Sequence, residues 1–253
     1  MSKAGWIRLA VLALAFGALE LASRMAWINP VSFIPPSEMA VGAYRILLSG
    51  KFSADIGLTL ESIGWTLLLT SIMGLIAGIV LFRLPRLRRV LDPLVTSYYA
   101  VPIFVFYPMF IVMFGLNRIP LIATGFAFSV VAMMVNVLNG LECIPTVLLK
   151  TARVHRMSRL AEIRYITLPA SLPYIFTGLK MAVAYATVAV VAGEFILSGA
   201  GLGYQIAFAY NNFDNLTMYS LMFLLLVFVG AINVLLTTWE RRLYHRRTVR
   251  QAL

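Results

Sequence analysis

Away from the chain's end, a dense cluster of ionisable groups in this 253-residue chain is RVHRMSRLAEIR. It places four arginines and a histidine within the twelve residues from Arg153 to Arg164. Guanidinium groups recognise carboxylates and phosphates, so the stretch is suited to an anionic surface or partner. Residues for catalysis are sparse. The two histidines, His155 and His245, both lie in basic surroundings that repel cations. The single cysteine, Cys143, allows neither an intramolecular disulfide nor a thiolate cluster for a metal. No catalytic residue and no metal ligand is assigned. The glycine-rich GAGLGY at Gly199–Tyr204 has no preceding strand and no βαβ unit around it, so it is not read as a dinucleotide loop. No G-x-x-x-x-G-K-[ST] occurs, so the chain itself is not expected to bind ATP through a P-loop.

The elements that must position the basic cluster are read from composition. The chain is 61% hydrophobic and 12% charged, against roughly 45–50% and 25% for soluble domains. It therefore reads as an integral membrane protein. Crossing a bilayer takes about 20 apolar residues, and six stretches qualify: Ile7–Trp27, Leu58–Phe82, Leu94–Phe114, Pro120–Leu141, Pro173–Leu197 and Met218–Trp239. The first carries Glu20 and Arg24 and is short enough to resemble a signal peptide, but no clean small-x-small site follows it. With the N-terminus inside, 16 of the 21 basic residues fall on the cytoplasmic side. That asymmetry places both termini in the cytoplasm. It also accounts for the net charge of +11 without nucleic acid.

Within this frame, Val147–Ile163 reads as an amphipathic helix lying along a surface. Val147, Val154, Met157 and Ala161 recur near heptad spacing, opposite Lys150, Arg153, Arg156 and Arg159. Pro169 is expected to stop one helix and Pro173 to start the next, with Ser171 as N-cap. Ionisable residues inside spans are functional suspects. Lys180 and Glu194 are 14 residues apart, or about 21 Å along a helix, too far to pair. Lys180 is expected to snorkel to the inner interface, and Glu194 to sit at the interface or at a pathway mouth. Tyr99, Pro102 and Tyr107 are candidates for a bent, aromatic-lined wall in the third span. Asn136 is suited to hydrogen bonding between helices. Gly74 and Gly78 form a G-x-x-x-G for close packing, across a dimer or within the chain.

The segment LLKTARVHRMSRLAEIRYITLPASLPYIFTGLKMAVAYA resembles the signature loop of binding-protein-dependent ABC importer permeases. Ala152 matches the second Ala of that family's Glu-Ala-Ala, and Ile166, Thr167, Leu168 and Pro169 match its Ile-x-Leu-Pro. RLPRLRRVLDPLVTSYYAVPIFVFYPMFIVMFGL, the pair Asn136 and Gly140, and GEFILSGAGLGYQIAFAYNNFD are similar to the nitrate/sulfonate/taurine branch. The resemblance covers about Leu58 to Arg247. The sequence departs from it at Lys150, where the family has Glu, and at Arg156, where it has Gly. A Gly there permits a positive-φ turn, so Arg156 implies either a more continuous helix or a strained turn.

The resemblance implies an all-α membrane protein with the six transmembrane helices of the type I ABC importer permease and a cytoplasmic coupling helix at about 147–163. Residues 1–57 would hold the first span and a periplasmic linker, and 58–253 the permease core. Lys150, Thr151, Ala152, Arg153, His155, Arg156, Ser158, Arg159, Leu168 and Pro169 would couple to a separate ATP-binding subunit, which carries the ATP and Mg. Tyr99, Pro102, Tyr107, Asn136, Lys180 and Glu194 would line the pathway. The implied partners are that ATPase, a second permease chain in a homodimer, an external solute-binding protein and lipid, in a bacterial inner membrane. The rival reading is an ion-coupled secondary transporter, which would need a buried charge relay or inverted repeats.

Overall fold

The computed structural model describes residues 3–29, 32–98 and 100–251; the side chains of 3–6, 8, 9, 12, 197 and 242–251 lie outside that description. All regular structure among the described residues is helical. In order, the helices are α1 (Lys3–Arg24), α2 (Pro36–Ser49), α3 (Ser53–Arg83), α4 (Pro85–Tyr98), α5 (Tyr107–Phe114), α6 (Ile119–Glu142), α7 (Thr146–Val154), α8 (Arg159–Glu162), α9 (Leu168–Leu197), α10 (Leu202–Asn211) and α11 (Asn215–Gln251). A 3-10 turn, Ile103–Phe106, precedes α5, and a π turn, Ile163–Thr167, joins α8 to α9. Among the described residues, four helical runs are long and apolar enough to cross a membrane: α3, α6, Arg159–Ile196 and Asn215–Arg241. The first expected span corresponds to α1, a 22-residue helix.

Three expectations are corrected here. The third span, Leu94–Phe114, is broken, not only bent within one helix: α4 ends at Tyr98, and Ile103–Phe114 leaves at 94° to it. Pro102 has no N–H to continue a helix and adopts an extended ψ of 101°. The fifth span starts well before Pro173, because helix runs unbroken from Arg159 to Ile196. Pro169 falls in the first turn of α9 and Pro173 inside it, where neither ends the helix. The Leu168 N–H reaches back five residues to the Ile163 carbonyl, so the π turn widens the helix just ahead of the first proline. Ser171 is accordingly no N-cap; its hydroxyl donates to the Thr167 carbonyl at 2.8 Å. Finally, much of the stretch read as a linker, Asn29–Gly57, is helical. Pro36 opens α2 and Gly50, at φ 64°, closes it in the left-handed conformation.

The chain forms two compact units, residues 1–59 with 194–228, and 60–193 with 229–253. In the first, Phe52, Leu202, Ile206, Ala209, Met218 and Leu221 make the core. In the second, Met133, Val137, Leu141 and Ile144 are buried against Leu75, Ile79 and Ile166. Gly74 and Gly78 face Met133 and Val137, which a Cβ at either glycine would strike. The G-x-x-x-G is thus used within the chain, between α3 and α6. Hydroxyls inside the second unit are satisfied locally: Thr66 donates to Ser62, Thr124 to Pro120 and Thr187 to Val183, each to a carbonyl one turn back. Thr70 and Ser129 share a hydrogen bond at 2.6 Å between α3 and α6.

Candidate functional site

The basic segment is two helices with a turn between them. α7 ends at Val154, and Arg156 takes φ +49°. The Met157 N–H bonds the Ala152 carbonyl at 2.9 Å, and the Arg156 N–H bonds that of Arg153 at 3.0 Å. This 6→1 and 5→2 pair is a Schellman closure, with arginine at the left-handed position that glycine usually fills. Of the two outcomes expected at Arg156, the strained turn is realised; a side chain there costs about 1–2 kcal/mol. Ser158 then caps α8, accepting from the Ala161 N–H at 3.3 Å. The helix is therefore not continuous over 147–163.

The segment is also turned differently from the heptad reading. Val147 and Val154 are exposed, Val154 by 80%, whereas Ala152 is buried at 1%. Ala152 thus packs inward within its own chain. Lys150, Arg153, His155, Arg156 and Arg159 are all exposed, and none forms an ion pair among the described residues. Interleaved with them, Leu160 is 76% exposed. Thr151 and Ser158 are exposed, with their hydroxyls on backbone groups of their own segment. Leu168 is exposed and Pro169 partly buried. The result is a surface of cations and large apolar side chains whose backbone is internally satisfied.

The pathway candidates differ in their surroundings. Tyr99 lies outside the described residues. Pro102 is exposed at the turn before α5, and Tyr107 is buried. The Asn136 amide donates to the Ala132 carbonyl of its own helix at 2.8 Å and contacts the Met181 sulfur of α9 at 3.4 Å. Lys180 does not simply snorkel: its ammonium pairs with Glu240 of α11. That partner, 60 residues away, leaves no signal at helical spacing.

Glu194 is completely buried and takes part in a network that sequence reading missed. At the start of α10, the Gly201 N–H bonds Asp55 Oδ1 at 2.8 Å. The next N–H, of Leu202, bonds Thr59 Oγ1 at 2.8 Å, and that of Gly203 bonds Glu194 Oε2 at 2.9 Å. The Thr59 hydroxyl lies 2.9 and 2.8 Å from the two Glu194 oxygens. Three successive orphan donors of a helix N-terminus are thereby satisfied by side chains, and the helix dipole meets a carboxylate. Gly201, at φ +104°, lies so close that a Cβ would collide with the Glu194 carboxylate. The glycines of GAGLGY do cradle an anion, but it is the chain's own. The readable signal was a buried-span carboxylate seven residues before a Gly-x-Gly.

Residues 70–249 match the model of a family described as "Binding-protein-dependent transport system inner membrane component". The chain is 31% identical over 182 residues to a nitrate import permease protein, NrtB, of Leptolyngbya laminosa, covering 72% of this chain and 64% of that one. It is 32% identical over 178 residues to a bicarbonate transport system permease protein, CmpB, of Synechococcus elongatus, covering 69% and 63%. It therefore spans just under two thirds of the length of these relatives. Among solved structures, a chain of the MetNI methionine ABC transporter in an inward-facing conformation superposes with a TM-score of 0.63 at 19% identity, over 77% of this chain and 97% of that one. That likeness concerns the fold.

Proposed function

This chain belongs to the binding-protein-dependent transport system inner membrane component family, and from that premise we propose that it is the permease subunit of an ATP-driven importer. It forms the translocation pathway and hydrolyses nothing itself; a separate subunit binds ATP and Mg. A periplasmic or lipid-anchored binding protein delivers the solute from outside, and a second copy of the chain completes the pathway. Residues 58–253 form the permease core, with both termini cytoplasmic. The cargo is a small anion: nitrate, a sulfonate, taurine or a related organic acid. The names of the relatives support that class. The family match gives no support to ion-coupled secondary transport.

One observation carries the reading. The α7–α8 surface is cationic, apolar and exposed, and the turn between its helices is closed by two backbone hydrogen bonds. Such a surface is built to dock against an acidic groove, and α8 continues without a break into the run that ends at Ile196. A push from the ATPase is then passed into the membrane as a rigid-body motion. Lys150, Arg153, His155, Arg156 and Arg159 make the contact, while Ala152 holds the turn in place. The test is to solubilise the tagged chain mildly and ask whether an ATP-hydrolysing subunit co-purifies. The purified pair is then reconstituted with its binding protein, and nitrate and sulfonate uptake followed. Uptake should need ATP on the ATPase side; uptake at full rate without the ATPase refutes the proposal.

A further inference from the structure

From an open cavity at the junction of α1 and α2, walled by charges of both signs, we infer a binding site for a small zwitterion: an oxyanion and a primary ammonium joined by a short apolar link. A phosphatidylethanolamine headgroup and a free amino-sulfonate share that chemistry. The site stands on its own residues and needs neither the cargo nor the ATPase assigned above. Only its place on the outer side rests on that reading, with both termini inside.

The cavity holds about 400 Å³ and is lined by α1, α2 and the start of α11, a size within the roughly 300–1,000 Å³ of small-ligand clefts. Its α2 wall is Glu38, Val41, Gly42 and Arg45, spaced i, i+3, i+4 and i+7 on one helical face. Glu38 and Arg45 thus bracket it about 10 Å apart along the axis. Neither forms an ion pair among the described residues. Between them lie Val41 and, from α11, Leu216, 49% and 48% exposed. Two opposite charges with an apolar stretch between them match a ligand whose own charges are opposed and separated by methylenes.

The remaining cation, Arg24, does not upset that balance, because Glu20 matches it. The Arg24 Nε lies 2.6 Å from Glu20 Oε1, and its Nη2 donates to the Ser37 hydroxyl at 3.1 Å. The Ser37 N–H and hydroxyl in turn donate to Glu20 at 3.0 and 2.7 Å. This staple ties the end of α1 to the start of α2 and fixes the Arg24 side of the cavity. With that pair neutral, the cavity is dipolar, acidic at Glu38 and basic at Arg45. Its wall is bare backbone at Gly42. Behind Gly42 stands the Ser220 hydroxyl, one turn along α11 from Leu216, so close that a Cβ on the glycine would strike it. That hydroxyl is completely buried and has no hydrogen-bond partner among the described residues. A buried hydroxyl left open is rare in a folded chain, and it marks this wall as one that meets a polar atom from outside the chain.

The test uses the full chain in dodecyl maltoside, so its outcome does not depend on which side of the membrane the cavity faces. Taurine and dihexanoyl phosphatidylethanolamine are titrated by calorimetry, with ethanesulfonate and ethylamine as half-ligands that carry one charge each. At least one zwitterion should bind, and each half-ligand should bind about tenfold or more weakly. Binding of phosphatidylethanolamine alone identifies a lipid site, binding of taurine alone a solute site, and competition between them a site open to both. Glu38→Gln and Arg45→Gln should each weaken binding about tenfold, with thermal unfolding unchanged, since neither side chain loses an ion-pair partner. Val41→Trp, which fills the cavity and leaves both charges, should weaken it as much. The inference is overturned if neither zwitterion binds, if a half-ligand binds as tightly as the zwitterions, or if all three variants bind like the native chain.

Discussion

The entry to α10 and the turn after α7 are both places where the backbone needs a left-handed residue, and they solve the problem in opposite ways. At Gly201 the residue is glycine, and three successive N–H donors are closed by side chains from α3 and α9. At Arg156 the residue is a strained arginine, and the neighbouring side chains are left to solvent. Polar groups satisfied internally fix a shape and give a partner nothing to bind. Charges left open on a closed backbone do little for the fold and much for recognition. The difference separates Glu194, whose bonds close on its own chain, from Arg153 and Arg159, which stand open to solvent and which we propose as recognition residues.

Four variants sharpen that contrast. The largest effect should come from Arg153→Glu with Arg159→Glu. ATPase retained on the tagged chain should fall about tenfold or more, since like charges then face the docking groove, while the unfolding midpoint stays in place. A matching loss of stability would instead make these arginines part of the fold. Gly201→Ala should do the reverse. It places a Cβ against Glu194 at positive φ, and unfolding in mixed micelles should show a loss of about 3 kcal/mol. Glu194→Gln should cost less, about 1–2 kcal/mol by the same measurement, because one acceptor oxygen survives where two served. The smallest change is favourable: Arg156→Gly should raise stability by about 1 kcal/mol by relieving the turn. If Arg156→Gly destabilises, the arginine side chain is holding the turn and the contrast fails.

Much of the fold was legible because apolar runs of bilayer length need no partner to be recognised. α3, α6 and α11 cover the second, fourth and sixth expected spans. Local grammar failed at proline. Pro169 and Pro173 look like punctuation, but Pro169 sits in the first turn of α9, just after the π turn, and Pro173 is accommodated inside that helix. Pro102 looked like a kink within one span and is instead where the third span breaks. The site was legible where residues act on their own surroundings: the cations of 150–159 could be found by counting. It was not legible where residues meet across long separations. Asp55 and Thr59 reach Gly201 and Glu194 over more than a hundred positions, and Glu240 reaches Lys180 over 60. Hydrophobic periodicity carries no trace of such meetings. Nor could it reveal that Ala152 faces inward while Val154 faces out.

The π turn at Ile163–Thr167 has a consequence for phase. One extra residue is held in a wide loop of backbone, so α7 and α8 are offset by about 100° from where an unbroken α-helix would aim them. Removing a single residue from that loop would let the helix rewind to its ordinary pitch. The arginine-bearing face would then swing about a quarter turn relative to Met133 and Val137, with every docking side chain still present and aimed at the wrong azimuth.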